Sequence, residues 1–276
     1  MKPDLKNFNG LTTVNVELTS RCNKNCWMCG RRKIENVFPA LALKYADMDF
    51  SLVSLIAKQL PPEIVVQFHS NGEGMLYPRF GEATKLFKKQ IRCITTNGLL
   101  LLEKADEVID NLDTVAISII QDEVPEIKDE LLEIIKKFLE IKGDRKPLLI
   151  YRLLGNVSDE EYRELPGIVV RRLLHAPMGS FRYHDGQEKR NPAIPEIGIC
   201  LDLLNHMCIS QNGEVSACVR FDPKRVGVIG DIRKQPLAEI WNSEKRRKWI
   251  ECHKRGQRDK IPLCSTCQFW GVPTSH

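Results

Sequence analysis

The chain contains no apolar run approaching the roughly 18 to 20 residues needed to cross a bilayer, and its start, MKPDLKNFNG, lacks the apolar core of a secretory signal. Both absences argue against a membrane or exported protein and lead to the expectation of a cytoplasmic one. Internal repeats and low-complexity segments are missing as well, which excludes solenoids and tails. Net charge is small: 41 Lys and Arg against 36 Asp and Glu leave +5, too mild to argue for a nucleic-acid partner. The densest basic stretch, Lys245, Arg246, Arg247, Lys248, Lys254, Arg255 and Arg258, follows Ser243 in a helical pattern, with Glu244 one turn before Lys248. It reads as a solvated helix face.

What the chain does have is cysteine, ten of them in 276 residues. In a reducing compartment such thiols are metal ligands or free side chains rather than disulfides. Three lie in the run Cys22-Asn23-Lys24-Asn25-Cys26-Trp27-Met28-Cys29, a C-x3-C-x2-C spacing. Thiolates are the ligands an iron-sulfur cluster prefers, and a structural site normally closes with four. Three leave one iron of a 4Fe-4S cluster open to a substrate or cofactor; a zinc knuckle or a chance group of buried thiols is the alternative. The preceding segment, LTTVNVELTS, alternates Val14, Val16 and Leu18 like a strand. The cysteine loop is therefore expected at the carboxyl end of a first parallel strand, where α/β barrels place their chemistry.

Up to about residue 175, strand-like runs alternate with helical patterns, the signature of βα units and a parallel sheet. Strands are predicted at 12–18, 64–68, 91–95, 114–119, 147–153 and 168–172. Between them, Asp49 caps a helix ended by Pro61, Pro78 opens another, and helices are predicted over Leu99 to Ile109 and Glu126 to Ile141, the last closed by Gly143. From about residue 176 a stretch rich in Gly, Pro and charge reads as a linker or an active-site cover. Beyond it, Asn212-Gly213 between alternating runs predicts a hairpin with a two-residue turn, both turn residues at positive φ.

On its first three cysteines the chain resembles the radical S-adenosylmethionine (SAM) superfamily. The resemblance implies that the amino and carboxylate groups of SAM chelate the open iron, and that an external one-electron donor of flavodoxin or ferredoxin type starts its cleavage to a 5'-deoxyadenosyl radical. Met28 stands where the family commonly has an aromatic residue near the adenine, with Trp27 beside it. The run His69-Ser70-Asn71-Gly72-Glu73-Gly74 is similar to the family's G-G-E-P motif: Gly72 lets the main chain come close, and Glu73 acts on SAM directly or holds the loop. Asn97, Ser118 and Arg152 fall at similar strand ends, so Met28, Gly72, Glu73, Asn97, Ser118 and Arg152 are the expected cofactor-binding set. The candidate catalytic groups are Arg152, His69 and His175. Each has a plainer reading, as a salt bridge or a structural histidine.

A second set, Cys200, Cys218, Cys264 and Cys267, has the layout C-x12-G-x4-C followed later by C-x2-C. With the stretch VGVIGDIRKQPLAEIWNSEKRRKWI it resembles the SPASM and twitch auxiliary-cluster domains of the same superfamily; a four-cysteine zinc site would look similar. Cys93, Cys208 and Cys252 are left over, with Cys208 an alternative ligand to Cys200. The resemblance implies an α/β fold, a partial (β/α)6 TIM-like barrel over 1–190 with a small twitch-type domain over 191–276, two 4Fe-4S clusters and SAM. The activity it implies is oxidation of a small alcohol, sugar or aminocyclitol, as in the family's aminocyclitol dehydrogenases. A ribosomal-peptide maturase is the second reading, disfavoured because the first strand starts too early to leave room for a leader-recognition domain. A noncatalytic iron-sulfur carrier is the third. Small-molecule or peptide substrates are the expected partners, without membrane or nucleic acid.

Overall fold

The computed structural model describes residues 7–42, 44–121, 123–174, 176, 179–184, 198–219, 222–265 and 267. Six parallel strands stand side by side in chain order: β1 (Thr13–Val16), β2 (Val65–Gln67), β3 (Ile91–Thr96), β4 (Thr114–Ile120), β5 (Leu148–Leu154) and β6 (Ile168–Arg172). Each lies within a residue or two of the run its alternation predicts. The helices are α1 (Gly30–Val37), α2 (Pro39–Ala42), α3 (Phe50–Gln59), α4 (Phe80–Lys85), α5 (Ala105–Val108), α6 (Pro125–Lys142), α7 (Glu160–Arg163), α8 (Leu201–Asn205), α9 (Leu237–Trp241) and α10 (Glu244–Lys254). None among the described residues is long and apolar enough to cross a membrane. The architecture is an α/β partial barrel.

The sheet does not stop at β1. Its free edge takes β7 (His206–Ile209) in parallel register, Thr13 opposite His206 and Val16 opposite Ile209. Two antiparallel strands follow, β8 (Glu214–Ser216) and β9 (Val228–Asp231), giving nine strands in the order β6-β5-β4-β3-β2-β1-β7-β8-β9. Cys200 and Cys218, which flank this addition, are thus tied to the same sheet as the first three cysteines.

Strand alternation sorts this sheet into two chemically different faces. Val14, Val16, Val66, Ile94, Val115, Ile117, Leu149, Tyr151, Met207 and Ile209 are all buried in one core with helix residues such as Val53, Ile56, Ile135 and Phe138. The residues that alternate with them point the other way: Asn15, Gln67, Thr95, Ser118, Arg152, His206 and Cys208 make much of that inner face polar, with Ala116 and Ile150 among them.

Local signals explain the helix ends and two departures from expectation. Asp49 caps α3 by accepting the Ser51 amide at 2.8 Å, and Gly143 closes α6 at φ 55°. The helix expected over Leu99 to Ile109 shrinks to α5, because the chain passes through tight turns, Leu101 N to Gly98 O and Ala105 N to Leu102 O, that sink Leu101 and Ala105 into the core. The hairpin is also wider than the Asn-Gly dipeptide predicts. Ser210 N still donates to Glu214 O at 2.9 Å, leaving three loop residues of which only Gly213 has positive φ, 84°. Asn212 stays out of the left-handed region while its Oδ1 accepts Ser210 Oγ at 2.7 Å and Glu214 N at 3.2 Å.

A third correction concerns the basic stretch. Arg246 is not part of a solvated face: it is 5% exposed, stacks 3.3 Å over the Trp241 ring, and donates to the carbonyls of Leu203, Leu204 and Trp241 at 3.2, 2.7 and 3.2 Å. These carbonyls lie in the last turns of α8 and α9, where the helices themselves supply no donor. Arg246→Met should therefore lower unfolding stability by about 3 kcal/mol. Anaerobic denaturant titration checks this, and Lys248→Met, on the exposed side of the same helix, should change it by less than about 0.5 kcal/mol.

Candidate active site

The first cysteine loop leaves β1 and is pinned at its base. Ser20 N donates to Ala46 O at 3.0 Å, Met48 N to Leu18 O at 2.8 Å, and Arg21 grips Asp47 through Nε and a terminal nitrogen at 3.0 and 2.7 Å. Cys29 is the residue that starts α1, and Arg31 on that helix is buried, donating to Ser20 O and stacking 4.0 Å from the Tyr45 ring. The far side of the loop is tied to the end of β4. Lys24 forms a buried ion pair with Glu123, the side chains 7% and 14% exposed, and Trp27 Nε1 donates to Gln121 O at 3.1 Å.

The three thiols lie within electrostatic reach of one another. Burial pushes Cys26 up to about 12, with Cys29 and Cys22 adding to the rise against Lys24; Cys29 is raised by burial too, opposed mainly by Arg31. Three neighbouring buried thiolates without a cation would be costly, whereas iron coordination deprotonates a thiol outright. The chemistry of this donor set, three thiols within electrostatic reach of one another, fits an iron-sulfur cluster.

The β2 loop closes against this one. A Cβ on Gly72 would lie 2.2 Å from the Thr19 carbonyl oxygen, so only glycine allows the two backbones to meet, and Glu73 N donates to Arg21 O at 2.8 Å. Both Glu73 oxygens are spent on the backbone, one accepting Met75 N at 3.2 Å and the other Asn97 N at 2.9 Å. These two bonds fasten the β2 loop to the end of β3. Asn97 passes the contact on, donating to Asn23 Oδ1 at 2.8 Å and lying 4.0 Å from Cys22 Sγ. Ser118 stands opposite Arg152 in the ladder, and Arg152 donates to Thr95 Oγ1 at 3.2 Å. Met28 is half-buried, while Trp27 packs against Phe181 and His184, ring centres 5.4 and 4.7 Å away. His175 lies outside the described residues.

In the second set, burial pushes Cys200 up to about 11 and Cys264 up to about 12, the latter helped by Cys267 and Cys200, with Cys252 a weaker neighbour. Cys200, Cys264 and Cys267 therefore gather. Cys208 sits elsewhere, 3.7 Å from Ser70 Oγ and raised to about 12 by burial and then Glu17, which favours Cys200 as the ligand. Cys218 lines a cavity of about 160 Å3 together with Ser20, Asn71, Cys208 and Arg225. That cavity runs from the base of the first cysteine loop to the hairpin that carries Cys218.

Residues 200–268 match the family model SPASM, an iron-sulfur cluster-binding domain. Two curated proteins align along nearly the whole chain. A tungsten-containing aldehyde ferredoxin oxidoreductase cofactor-modifying protein of Pyrococcus furiosus is 25% identical, covering 92% of this chain and 86% of its own length. An S-adenosyl-L-methionine-dependent 2-deoxy-scyllo-inosamine dehydrogenase of Niallia circulans is 24% identical, covering 95% and 94%. Among solved structures, BtrN in complex with AdoMet and 2-DOIA superposes with a TM-score of 0.62 at 19% identity over 96% of both chains. Over nearly its whole length the chain is thus similar to SAM-dependent enzymes, with a SPASM match at its carboxyl-terminal end.

Beside the first cysteine loop, the inner face of the sheet carries a set of linked polar side chains. Asn15 reaches His69, His206 reaches Asn15, and Arg152 reaches Thr95 across adjacent strands. Glu17, 3% exposed, accepts Asn71 N and Nδ2, both at 3.0 Å, and Gln211 N at 3.3 Å. It ties β1 to the β2 loop and the hairpin. Sequence reasoning passes over Asn15, Glu17 and His206, although the signal is present: Asn15 and Glu17 alternate with Val14, Val16 and Leu18, marking a strand with one polar face.

The Lys24–Glu123 pair offers a test of how the loop is held. Lys24→Met leaves a carboxylate buried without its partner and should cost about 3 kcal/mol, with iron lost from the first site on gel filtration. Adding Glu123→Leu should recover most of that stability, as measured by denaturation under anaerobic conditions.

Proposed function

We propose that this enzyme oxidises a small polyol, sugar or aminocyclitol alcohol to the ketone, with SAM consumed as co-substrate. Cys22, Cys26 and Cys29 would hold one 4Fe-4S cluster and Cys200, Cys218, Cys264 and Cys267 a second. When bound, SAM and the reduced first cluster supply a radical that takes hydrogen from a carbon, and the second cluster supplies a one-electron acceptor beside it. An external carrier of flavodoxin or ferredoxin type would deliver the starting electron.

The observation that carries the reading is the full-length likeness to a SAM-dependent 2-deoxy-scyllo-inosamine dehydrogenase, 95% of this chain against 94% of that one. The chain's own residues agree with a polyhydroxylated substrate. Asn15, His69, Thr95, Ser118 and Arg152 give the inner face donors and acceptors at close spacing, a lining suited to a hydroxyl-bearing substrate. Gly72 and Glu73 keep the β2 loop against the cysteine loop, which leaves backbone groups beside the place where SAM would bind. Arg152, fixed by Thr95, would orient the SAM carboxylate or a substrate oxygen.

Electron counting defines the test. Removing a hydrogen atom from a carbinol carbon, then one electron and the hydroxyl proton, gives a ketone. With 2-deoxy-scyllo-inosamine deuterated at the carbinol carbon as probe, deuterium should appear in 5'-deoxyadenosine with one ketone per nucleoside, read by mass spectrometry. Cys264→Ala with Cys267→Ala should still form 5'-deoxyadenosine but yield no ketone. Deuterium transfer only from a peptide α- or β-carbon would move the function to peptide maturation.

A further inference from the structure

Three hydrogen bonds in series fix the direction in which His69 can act. His206 Nε2 lies 2.5 Å from Asn15 Oδ1; an amide oxygen can only accept, so Nε2 carries a proton. The other end of the same amide, Asn15 Nδ2, lies 2.8 Å from the His69 carbonyl oxygen and 3.4 Å from His69 Nε2. Reversing the amide would set its oxygen against that carbonyl oxygen, so its orientation is determined. An NH2 group can only donate, which makes His69 Nε2 the acceptor and places the single ring proton on Nδ1.

That Nδ1 is shielded from solvent and has no acceptor among the described residues. A buried donor without a partner is rare and costs about 1 to 3 kcal/mol. The ring also stays neutral: burial, then Arg152, then His206 push it down to about 3. A neutral ring protonated at Nδ1 has a donor to offer there.

We propose that His69 is a catalytic hydrogen-bond donor, holding an oxygen of the bound alcohol through Nδ1–H, and that Asn15 and His206 are positioning residues that lock its tautomer. This rests on the reading that the alcohol binds on the inner face of the sheet. Three strands contribute, since Asn15 is on β1, His69 follows β2 and His206 starts β7. The carboxyl-terminal part of the chain thereby sets the protonation pattern of a group in the barrel.

Two measurements on the full chain with its clusters loaded and oxidised test this. Nitrogen NMR of 15N-histidine-labelled protein should show His69 protonated at Nδ1 alone at neutral pH, and Asn15→Asp, which replaces the donor by an acceptor, should move the proton to Nε2. With 2-deoxy-scyllo-inosamine as probe, His69→Leu should raise KM about tenfold, the loss of one hydrogen bond, with kcat less affected. His69→Asn, which keeps an amide donor near the same place, should stay within about threefold, iron content serving as the control for folding. A wild-type His69 protonated at Nε2, or an unchanged KM in His69→Leu, would overturn the proposal. Failure of the wild-type protein to oxidise any alcohol would instead remove the functional reading, while the NMR result would still judge the tautomer.

Discussion

β1 carries ladder hydrogen bonds on both of its edges, to β2 and to β7, and in both directions the pairing is parallel. Its period of two then decides the character of everything nearby. Val14 and Val16 point into the helix-covered core at 0% exposure, so Asn15 and Glu17 must point to the inner face. A register slip of one residue would set those two polar groups in the apolar core and turn two valines toward the inner face. The four-residue strand therefore orients the first cysteine loop, the polar surface behind it and the edge on which the SPASM segment is built.

Electrostatics at the two cysteine groups follow from the same geometry. Loops at the ends of buried parallel strands are themselves buried, which raises the cost of thiolates and demands compensation. Around the first group, Lys24 and Arg31 supply positive charge, with Glu123 limiting it on one side. Around the second, Arg258 does so and also donates to Cys267 O at 3.0 Å. Each cysteine group thus has its own cationic side chains, and the inner polar face lies between the elements that carry them.

Much of this was legible in the residues. The six strands stood out because buried parallel strands alternate or run apolar between clear breakers, and the cysteine spacings marked both candidate sites. The hairpin's loop was read too narrow because Asn212 uses its side chain to hold the turn instead of entering the left-handed region. Arg246 looked solvated because a helical charge pattern does not say which neighbour the helix meets. The pairing of β1 with β7 spans some 190 residues, as the Asn15 to His206 hydrogen bond does. No local pattern encodes such a contact, and with it went the roles of Asn15 and His206.

The proposed function requires two separate cluster sites, each with its own cysteines. Iron and sulfide analysis with Mössbauer spectroscopy after anaerobic reconstitution tests it most directly. About eight iron and eight sulfide per chain are expected in the native protein, and Cys22→Ala, Cys26→Ala and Cys29→Ala combined should remove half of them together with all SAM cleavage. Retained cleavage in that variant, or zinc in place of iron at Cys264 and Cys267 in the native protein, would contradict the account.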